Sequence, residues 1–228
     1  MIKFGTDGWR GVISEDFTFE NVLRVSQAIA DYFNSPLRTQ HSAPRLVIGY
    51  DTRFLSEKYA QLVSEVLTGN GIKTYLIHKP SPTPMVCFFI KEHKLSGGVI
   101  VTASHNPYYY NGIKIKMDYA GPAEPEVTQE IESLFDKNKI RKIPQDEAIK
   151  KGLLELVDPS VEYIKFLRNY LDLSLFRRRS FRLLVDVMYG TGDNFIPRIL
   201  KGTKCKIELL HNERNPFFGG INPEPIPK

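Results

Sequence analysis

The residues in this sequence with the clearest chemical potential lie at positions 102–107, which read Thr-Ala-Ser-His-Asn-Pro. Ser104 offers a nucleophilic hydroxyl, His105 an imidazole and Asn106 a carboxamide, directly after a short apolar run. Side chains and backbone amides in such a loop can converge on an anion. Composition alone is equally consistent with an ordinary turn. A Gly-x-Ser-x-Gly nucleophile elbow is absent, which disfavours a lipase or an esterase.

Two other segments carry cations suited to the same chemistry. Residues 5–11 read Gly-Thr-Asp-Gly-Trp-Arg-Gly and predict a loop, in which the glycines permit close backbone approach and Arg10 suits a phosphate or a carboxylate. Pairing of Arg10 with Asp7 in a structural turn is the alternative. Lys114 alternates with two isoleucines, so we expect it to point away from the core, either into the cleft of Ser104 or into solvent.

Further patterns argue against several other chemistries. The segment Gly-Thr-Gly at 190–192 resembles the start of a dinucleotide-binding fingerprint, but Phe195 replaces its third glycine, so a structural strand-to-helix turn is favoured. Cys87 and Cys205 have no paired His or Cys spacing around them. We therefore expect reduced, buried thiols and neither a disulfide framework nor a zinc site.

The chain has 228 residues and a formal net charge of +5. This length predicts one full domain and part or all of a second. Residues 1–136 carry 13 Lys/Arg and 15 Asp/Glu, so the basic excess lies after them, in runs typical of solvated helix ends and linkers. Nucleic acid is therefore disfavoured as a partner. No stretch approaches the roughly 18 apolar residues of a membrane span, and the first residues lack the apolar core of a signal peptide, so we expect a cytoplasmic protein without membrane contact.

Short apolar runs alternate with helix-periodic segments, as in strands joined by helical crossovers. The predicted strands cover 46–50, 74–77, 98–102, 112–116, 183–188 and 205–210, and the predicted helices follow an N-cap at Thr18 or cover 56–70, 85–93, 158–172 and 193–201. Residues 137–151 predict a linker or edge segment, and 211–228 an extended segment.

This pattern predicts an α/β fold with a mixed, mainly parallel sheet sandwiched by helices, followed by the start of a second, similar α/β domain. We expect the first domain at 1–150, and a linker helix with an incomplete second domain at 151–228. The segment 102–107 then lies at the carboxyl end of a buried strand, where open α/β sheets bind their ligands.

Four segments occur in the order and approximate spacing of the first domain of the α-D-phosphohexomutases: residues 5–11, 49–53 (Gly-Tyr-Asp-Thr-Arg), 102–107 and 111–114 (Asn-Gly-Ile-Lys). The chain therefore resembles the amino-terminal portion of a phosphoglucomutase/phosphomannomutase. The resemblance continues to residues 222–225, where Asn-Pro-Glu-Pro is similar to a segment of the family's second domain. The motif at 102–107 is specific, whereas each of the others would be weak alone.

The resemblance implies a phosphoenzyme that interconverts hexose 1-phosphate and hexose 6-phosphate, of glucose or mannose, through a hexose 1,6-bisphosphate. Ser104 would carry the phosphoryl group, His105 and Lys114 would transfer protons or stabilise phosphate, and Arg10 would hold the reacting phosphate or orient the serine loop. The family also implies Mg²⁺, bound to this chain through an oxygen of phosphorylated Ser104.

Other parts of the family pattern are missing or ambiguous. The family takes its remaining metal ligands from an Asp-Gly-Asp-x-Asp-Arg loop, which this sequence lacks, and its sugar and distal phosphate contacts from later domains. We therefore expect the remaining domains of the same enzyme as partners, and an inactive chain without them. A phosphoglucosamine mutase is the alternative within the family, although Trp9 favours glucose and mannose phosphates. A non-catalytic anion-binding or assembly module is the alternative from another class.

Overall fold

A computed structural model describes residues 2–5, 8–36, 43–192 and 195–226. A six-stranded sheet forms its centre, with the strands β1 (Gly8–Val12), β2 (Arg45–Tyr50), β3 (Lys73–Ile77), β4 (Gly97–Val101), β5 (Tyr110–Met117) and β6 (Leu154–Val157). The strand order is β1-β5-β4-β2-β3-β6. Strands β4, β2, β3 and β6 are parallel, whereas β5 is antiparallel to β4 and β1. The sheet is therefore mixed and mainly parallel, as predicted.

Helices cover both faces of this sheet. They are α1 (Phe19–Phe33), α2 (Ser56–Gly69), α3 (Thr83–Glu92), α4 (Pro125–Ser133), α5 (Gln145–Lys150) and α6 (Ser160–Tyr170). Apolar side chains of α1, α2, α4 and α5 pack in one core cluster, and those of α3 and α6 pack in another on the opposite face. No helix in the described ranges is long and apolar enough to cross a membrane.

The local signals for α1 and α2 are confirmed. The Thr18 hydroxyl accepts a hydrogen bond from the Asn21 amide at 3.2 Å and caps α1, and the predicted apolar face of this helix is buried. Gly71, just after α2, has φ +79°, a conformation that glycine adopts at little cost. Helix α3 begins at Thr83 with Pro84 in its first turn, two residues before the predicted start.

The polar segment at 102–107 follows the most completely buried strand. All five residues of β4 are buried, because helices cover both faces of the sheet at this point. Alternate residues of its neighbour β2 enter different clusters: Leu46 and Ile48 belong to the cluster of α1, and Val47 to the cluster of α3. The strand that ends at Val101 is thus a rigid support for the residues after it.

The later part of the chain forms a smaller α/β arrangement, which we call the second unit (residues 171–192 and 195–226). It contains α7 (Ser174–Arg178), β7 (Arg182–Asp186), α8 (Phe195–Ile199), β8 (Lys206–Leu210) and a 3₁₀ turn (Phe218–Gly220). Strands β7 and β8 are parallel and form a two-stranded sheet whose residues alternate between exposed and half-buried. The predicted fold class, including the start of a second α/β domain, is confirmed.

Three local predictions differ from the structure. Residues from Gly8 onward form edge strand β1 and not a loop, because β5 offers them a pairing partner. The expected linker contains α5, and β6 follows it and pairs with β3, so the first sheet includes residues beyond 150. The segment after 211 contains the 3₁₀ turn. The domain division at 150 stays a prediction. Asp7 lies outside the described residues. So do residues 193–194, the first two of the predicted helix 193–201.

Candidate active site

The loop from Thr102 to Tyr109, which we call the serine loop, connects β4 to the antiparallel strand β5. Ser104 is exposed and has a positive φ of 56°, which is uncommon for a residue with a side chain. Its amide donates a 2.9 Å hydrogen bond to the Thr102 hydroxyl. The loop therefore holds the serine in a specific backbone conformation with its side chain at the surface.

Arg53 supports the serine loop from inside. Its side chain has no exposed surface. One terminal nitrogen, Nη2, donates to the carbonyls of Ser104 (2.9 Å) and Asn106 (2.6 Å), and the other, Nη1, donates to those of Pro107 (2.8 Å) and Tyr110 (3.0 Å). A single guanidinium therefore binds four main-chain oxygens of one short segment. Arginine is suited to this role because its planar guanidinium carries several N–H donors in a fixed arrangement.

The charge of Arg53 is balanced by Asp51, at 3.2 Å from its Nε. The Asp51 carboxylate also accepts hydrogen bonds from the hydroxyls of Thr102 (2.6 Å) and Ser56 (2.9 Å). Burial raises the pKa of Asp51, although Arg53 and these donors oppose the rise. Burial likewise lowers the pKa of Arg53, against the effect of Asp51. We regard the pair as ionised, because each charge has its partner and additional hydrogen bonds.

A chain of buried hydrogen bonds links Asp51 to strand β5. The Asn111 amide nitrogen donates to the Ser56 hydroxyl at 2.9 Å, and Ser56 donates to Asp51. Gly112, next along the strand, has no room for a side chain, since a Cβ would lie 2.7 Å from the Thr102 and Trp9 carbonyl oxygens. Asn111 thus ties strand β5 to Ser56, and Gly112 allows the strand to pack closely against Thr102 and Trp9.

Arg10 reaches the serine loop from strand β1, and His105 lies within the loop beside Ser104. Arg10, on β1, donates from Nη1 to the Asn106 side-chain oxygen at 2.9 Å, and its part in chemistry stays a prediction. The His105 Nδ1 lies 3.5 Å from the Ser104 hydroxyl, at the outer limit of a hydrogen bond. Its Nε2 lies 4.0 Å from a carboxylate oxygen of Glu224 in the second unit.

The sheet register determines the position of Lys114. It pairs with Ile100 on β4 and with Gly8 on β1. Directly opposed residues project from the same face of a sheet, and Ile100 lines a cavity that also contains Ser104. Lys114 is half-buried on that face, and its part in chemistry stays a prediction.

This cavity has a volume of about 320 Å³ and lies between the first sheet and the second unit. From the first sheet it is lined by Asp51, Thr52, Ser81, Thr83, Ile100, Thr102 and Ser104, and from the second unit by Asp186, Val187, Met188, Gly190, Thr191, Phe218, Pro223 and Pro225. The Gly-Thr-Gly turn at 190–192, interpreted from the sequence as structural, thus also contributes to the wall of the cavity.

Contacts of Thr52 and Arg53 help to hold the second unit beside the serine loop. The Thr52 hydroxyl donates to the Tyr189 carbonyl at 2.8 Å. The Phe218 ring, only 4% exposed, lies on the guanidinium of Arg53 with 5.1 Å between the ring centroid and Cζ. The residue that organises the serine loop is therefore also a contact point for the second unit.

The side chains that the structure describes do not form a site that fits Mg²⁺. Within the described ranges, no group of three or more His, Cys, Asp or Glu side chains could hold a metal ion. The two carboxylates that line the cavity have other partners: Asp51 binds Arg53, and Asp186 accepts hydrogen bonds from the Met188 amide and from His211. These two interactions, in that order, lower the pKa of Asp186. A phosphorylated Ser104 would be the one contribution of this loop to a metal site.

Comparison with known proteins agrees with this architecture. Residues 1–142 match the family model of phosphoglucomutase/phosphomannomutase α/β/α domain I, and residues 161–228 match that of domain II. In the solved structure of a Thermus thermophilus protein, assigned provisionally as a phosphomannomutase, the similarity covers 99% of this chain and 49% of that one, with a TM-score of 0.86 and 33% identity. This chain, with its α/β sheet and exposed serine loop, belongs to the phosphoglucomutase/phosphomannomutase family.

Relatives of this chain carry more than one substrate name. A phosphoglucosamine/phosphogalactosamine mutase of Sulfurisphaera tokodaii is 28% identical over 97% of this chain, and a phosphoglucomutase/phosphomannomutase of Thermococcus kodakarensis is 28% identical over 97%. The chain spans 47% of each of these relatives, so it covers about half the length of the proteins it matches. The comparisons therefore show the family and leave the sugar open.

Sequence analysis assigned no role to two residues at the centre of this site. Asp51 and Arg53 lie in one of the four segments that carried the resemblance, but they were not selected as functional residues. The available signal was their position immediately after strand β2, at the same sheet edge as Ser104. What the sequence could not show is that the partners of Arg53 are main-chain carbonyls.

Proposed function

We propose that Ser104 is the phosphoryl carrier of a hexose-phosphate mutase. The whole protein would interconvert hexose 1-phosphate and hexose 6-phosphate, an intramolecular phosphotransfer that belongs to carbohydrate metabolism. The observation that carries the proposal is the exposed Ser104, held by Arg53 at the mouth of a cavity in a chain of this family.

In the proposed reaction, the Ser104 oxygen attacks a phosphorus of a hexose 1,6-bisphosphate. The new Oγ–P bond forms as the P–O bond to the sugar breaks, and the serine proton goes to a base while the sugar monophosphate leaves. Transfer in the opposite direction, from phosphorylated Ser104 to the free hydroxyl of an incoming hexose monophosphate that carries its phosphate at the other position, restores the free serine and forms hexose 1,6-bisphosphate again. Each half of the cycle is one in-line phosphoryl transfer, and the two together balance.

Three side chains are proposed to assist this transfer. The His105 Nδ1, 3.5 Å from the serine oxygen, is placed to receive its proton or to contact a phosphoryl oxygen. Arg10 reaches the loop through Asn106 and adds a guanidinium for the phosphate. Lys114 is assigned a role as a base or a phosphate contact on the strength of its face of the sheet. Replacement of Lys114 by Met in the complete enzyme should reduce turnover strongly, and unchanged turnover would remove Lys114 from the mechanism.

Glucose or mannose phosphate is our first choice of substrate, and glucosamine phosphate is the second. Trp9, the sequence feature that favoured the first choice, is 3% exposed and its ring centroid lies 4.8 Å from that of Phe17. It therefore packs in the core and does not touch a sugar. The relative from Sulfurisphaera tokodaii, named for amino-sugar phosphates, supports the second choice. Mg²⁺ would act on an oxygen of phosphorylated Ser104, with its other ligands from outside this chain.

Mass spectrometry of the complete enzyme that contains this chain tests the proposal. We expect phosphorylation, a gain of about 80 Da, as purified or after incubation with Mg²⁺ and either glucose or glucosamine 1,6-bisphosphate, and we expect peptide mapping to place it on Ser104. Ser104→Ala should abolish the gain, whereas Ser133→Ala, which alters another exposed serine, should not. Absence of phosphate from Ser104 under all these conditions would contradict the proposed function, and a difference between the two sugars would indicate the substrate class.

A further inference from the structure

We propose that Arg53 is a positioning residue: by drawing the carbonyls of the serine loop inward, it turns the amides of His105 and Tyr108 outward to bind the phosphoryl group of Ser104. This inference rests on the proposed function in one respect, namely that Ser104 carries a phosphoryl group. It adds a site for that group made of main-chain N–H donors, with a buried arginine that never touches the phosphate.

Main-chain carbonyls of the serine loop and of Tyr110 point towards Arg53. The fully buried Arg53 lies beneath the serine loop. It donates hydrogen bonds of 2.6–3.0 Å to the carbonyl oxygens of Ser104, Asn106, Pro107 and Tyr110. Four carbonyl groups that converge on one guanidinium all point into the protein. The ion pair with Asp51 holds the guanidinium in place.

The planarity of the peptide unit relates these carbonyls to the amides that follow them. In a trans peptide, the carbonyl of one residue and the N–H of the next point in opposite directions. Because the Ser104 carbonyl points inward, the His105 amide points outward, and the Pro107 carbonyl has the same consequence for Tyr108. Within the part of the chain that the structure describes, neither of these two amides donates a hydrogen bond. Exposed N–H donors in a loop with a positive φ residue are suited to an anion.

The surrounding charges are compatible with a phosphoryl group at this position. Arg10 hydrogen-bonds to the loop, His105 is part of it, and Lys114 lies on the face of the sheet that lines the cavity. The negative charge of Asp51 is balanced by Arg53, and the carboxylate of Glu224 lies 4.0 Å from His105. The amides therefore add directional donors to a region that already contains cations.

The test uses the full chain with phosphoserine incorporated at position 104 during synthesis and with metal removed by a chelator. We expect the His105 and Tyr108 amide protons to move downfield in ¹H–¹⁵N NMR spectra relative to the unmodified chain. Arg53→Met and Arg53→Lys should both lose most of this movement, since lysine retains the charge but cannot bind four carbonyls. Arg45→Met is the matched control: Arg45 also donates to two carbonyls, those of His93 and Lys94, but at an exposed position away from the loop.

Each outcome of this experiment bears on the proposal. The proposal would be overturned if phosphoserine moved the two amide protons downfield equally in wild type and in both Arg53 variants. It would also be overturned if phosphoserine did not move the Tyr108 amide proton of the wild-type chain. If Arg53→Met does not fold, the comparison of wild type with Arg53→Lys still tests the role of Arg53. The wild-type spectra alone still test whether the His105 and Tyr108 amides respond to the phosphoryl group. Because phosphoserine is built in, a failure of Ser104 to accept phosphate from a sugar bisphosphate contradicts only the proposed function, and leaves this test intact.

Discussion

Phe218 covers the guanidinium of Arg53, with its ring centroid 5.1 Å from the arginine Cζ. The two residues belong to different parts of the fold, since Arg53 follows β2 in the first sheet and Phe218 begins the 3₁₀ turn of the second unit. The face of the guanidinium is thus closed by an aromatic ring while its edges bind carbonyls. We therefore expect loss of the Phe218 ring to weaken the support that Arg53 gives to the serine loop.

Phe218→Leu should destabilise the chain by about 1–3 kcal/mol, through the lost cation–π contact and the small cavity that leucine leaves. Urea denaturation followed by circular dichroism measures this loss. Phe217→Leu is the control, because Phe217 is 60% exposed, and it should change stability by less than about 1 kcal/mol. Equal effects of the two substitutions would argue against a specific role of the Phe218 ring.

Gly112→Ala should also destabilise the chain, by about 1–3 kcal/mol, because the added methyl group would meet two backbone oxygens that cannot move independently. The same denaturation experiment applies. Gly192→Ala provides the comparison, since its Cβ would lie 3.7 Å from the nearest atom, a side-chain carbon of Val187. A well-tolerated Gly112→Ala would show that β5 and the serine loop are less closely fitted than these distances indicate.

The ion pair between Lys79 and Asp158, 2.9 Å apart, should make stability depend on acid pH. Partial burial disfavours the Asp158 carboxylate, but hydrogen bonds from Lys79 and Ser160 outweigh it and lower its pKa to about 2. Since this value lies below the ordinary 3.8, the ionised group stabilises the folded chain above pH 4, and the contribution disappears as the pH falls towards 2.

Asp158→Asn should therefore cost about 1 kcal/mol near pH 6, a value reduced for solvent screening, and almost nothing near pH 2. Urea denaturation at both pH values checks the difference. Asp146→Asn, at an exposed position with no ion pair described, should show no such dependence. A constant difference between Asp158→Asn and wild type across this range would contradict the assignment.

Leu184 on β7 is 63% exposed, and Leu210 on the adjacent strand is 38% exposed. These leucines lie on the open face of a two-stranded sheet, which favours self-association. Leu184→Glu should lower the apparent mass of the chain at high concentration in light scattering, without loss of stability. Val161→Glu is the control: Val161 is 68% exposed but lies on α6. The same reduction from both variants would place the contact elsewhere.

The sequence was sufficient for the architecture because its strong signals are local. Alternation of apolar runs with helix periodicity located the strands from β2 to β5, and Thr18 located the start of α1. Strand β6 was missed because four residues with two exposed side chains give little pattern, and its place depends on pairing with β3.

The candidate site was predictable as far as the side chains proposed for chemistry, and less so for the residues that position them. Ser104, His105 and Arg10 were selected by residue type, and the structure brings all three to the serine loop. Arg53 could not be chosen in this way, because its carbonyl partners lie 51–57 residues further along the chain and leave no mark in residue identity. Trp9 is the converse case, a conspicuous residue that serves only the core.

The contact between Arg53 and the serine loop fixes the main chain of the loop without restricting its side chains. Arg53 binds only main-chain oxygens there, and every amino acid supplies the same oxygen. The side chains of Tyr108 and Tyr109, which are 39% and 45% exposed, are therefore open to exchange without loss of the loop's shape. Exchange of either tyrosine side chain would leave the main-chain oxygens that Arg53 binds in the loop unaltered.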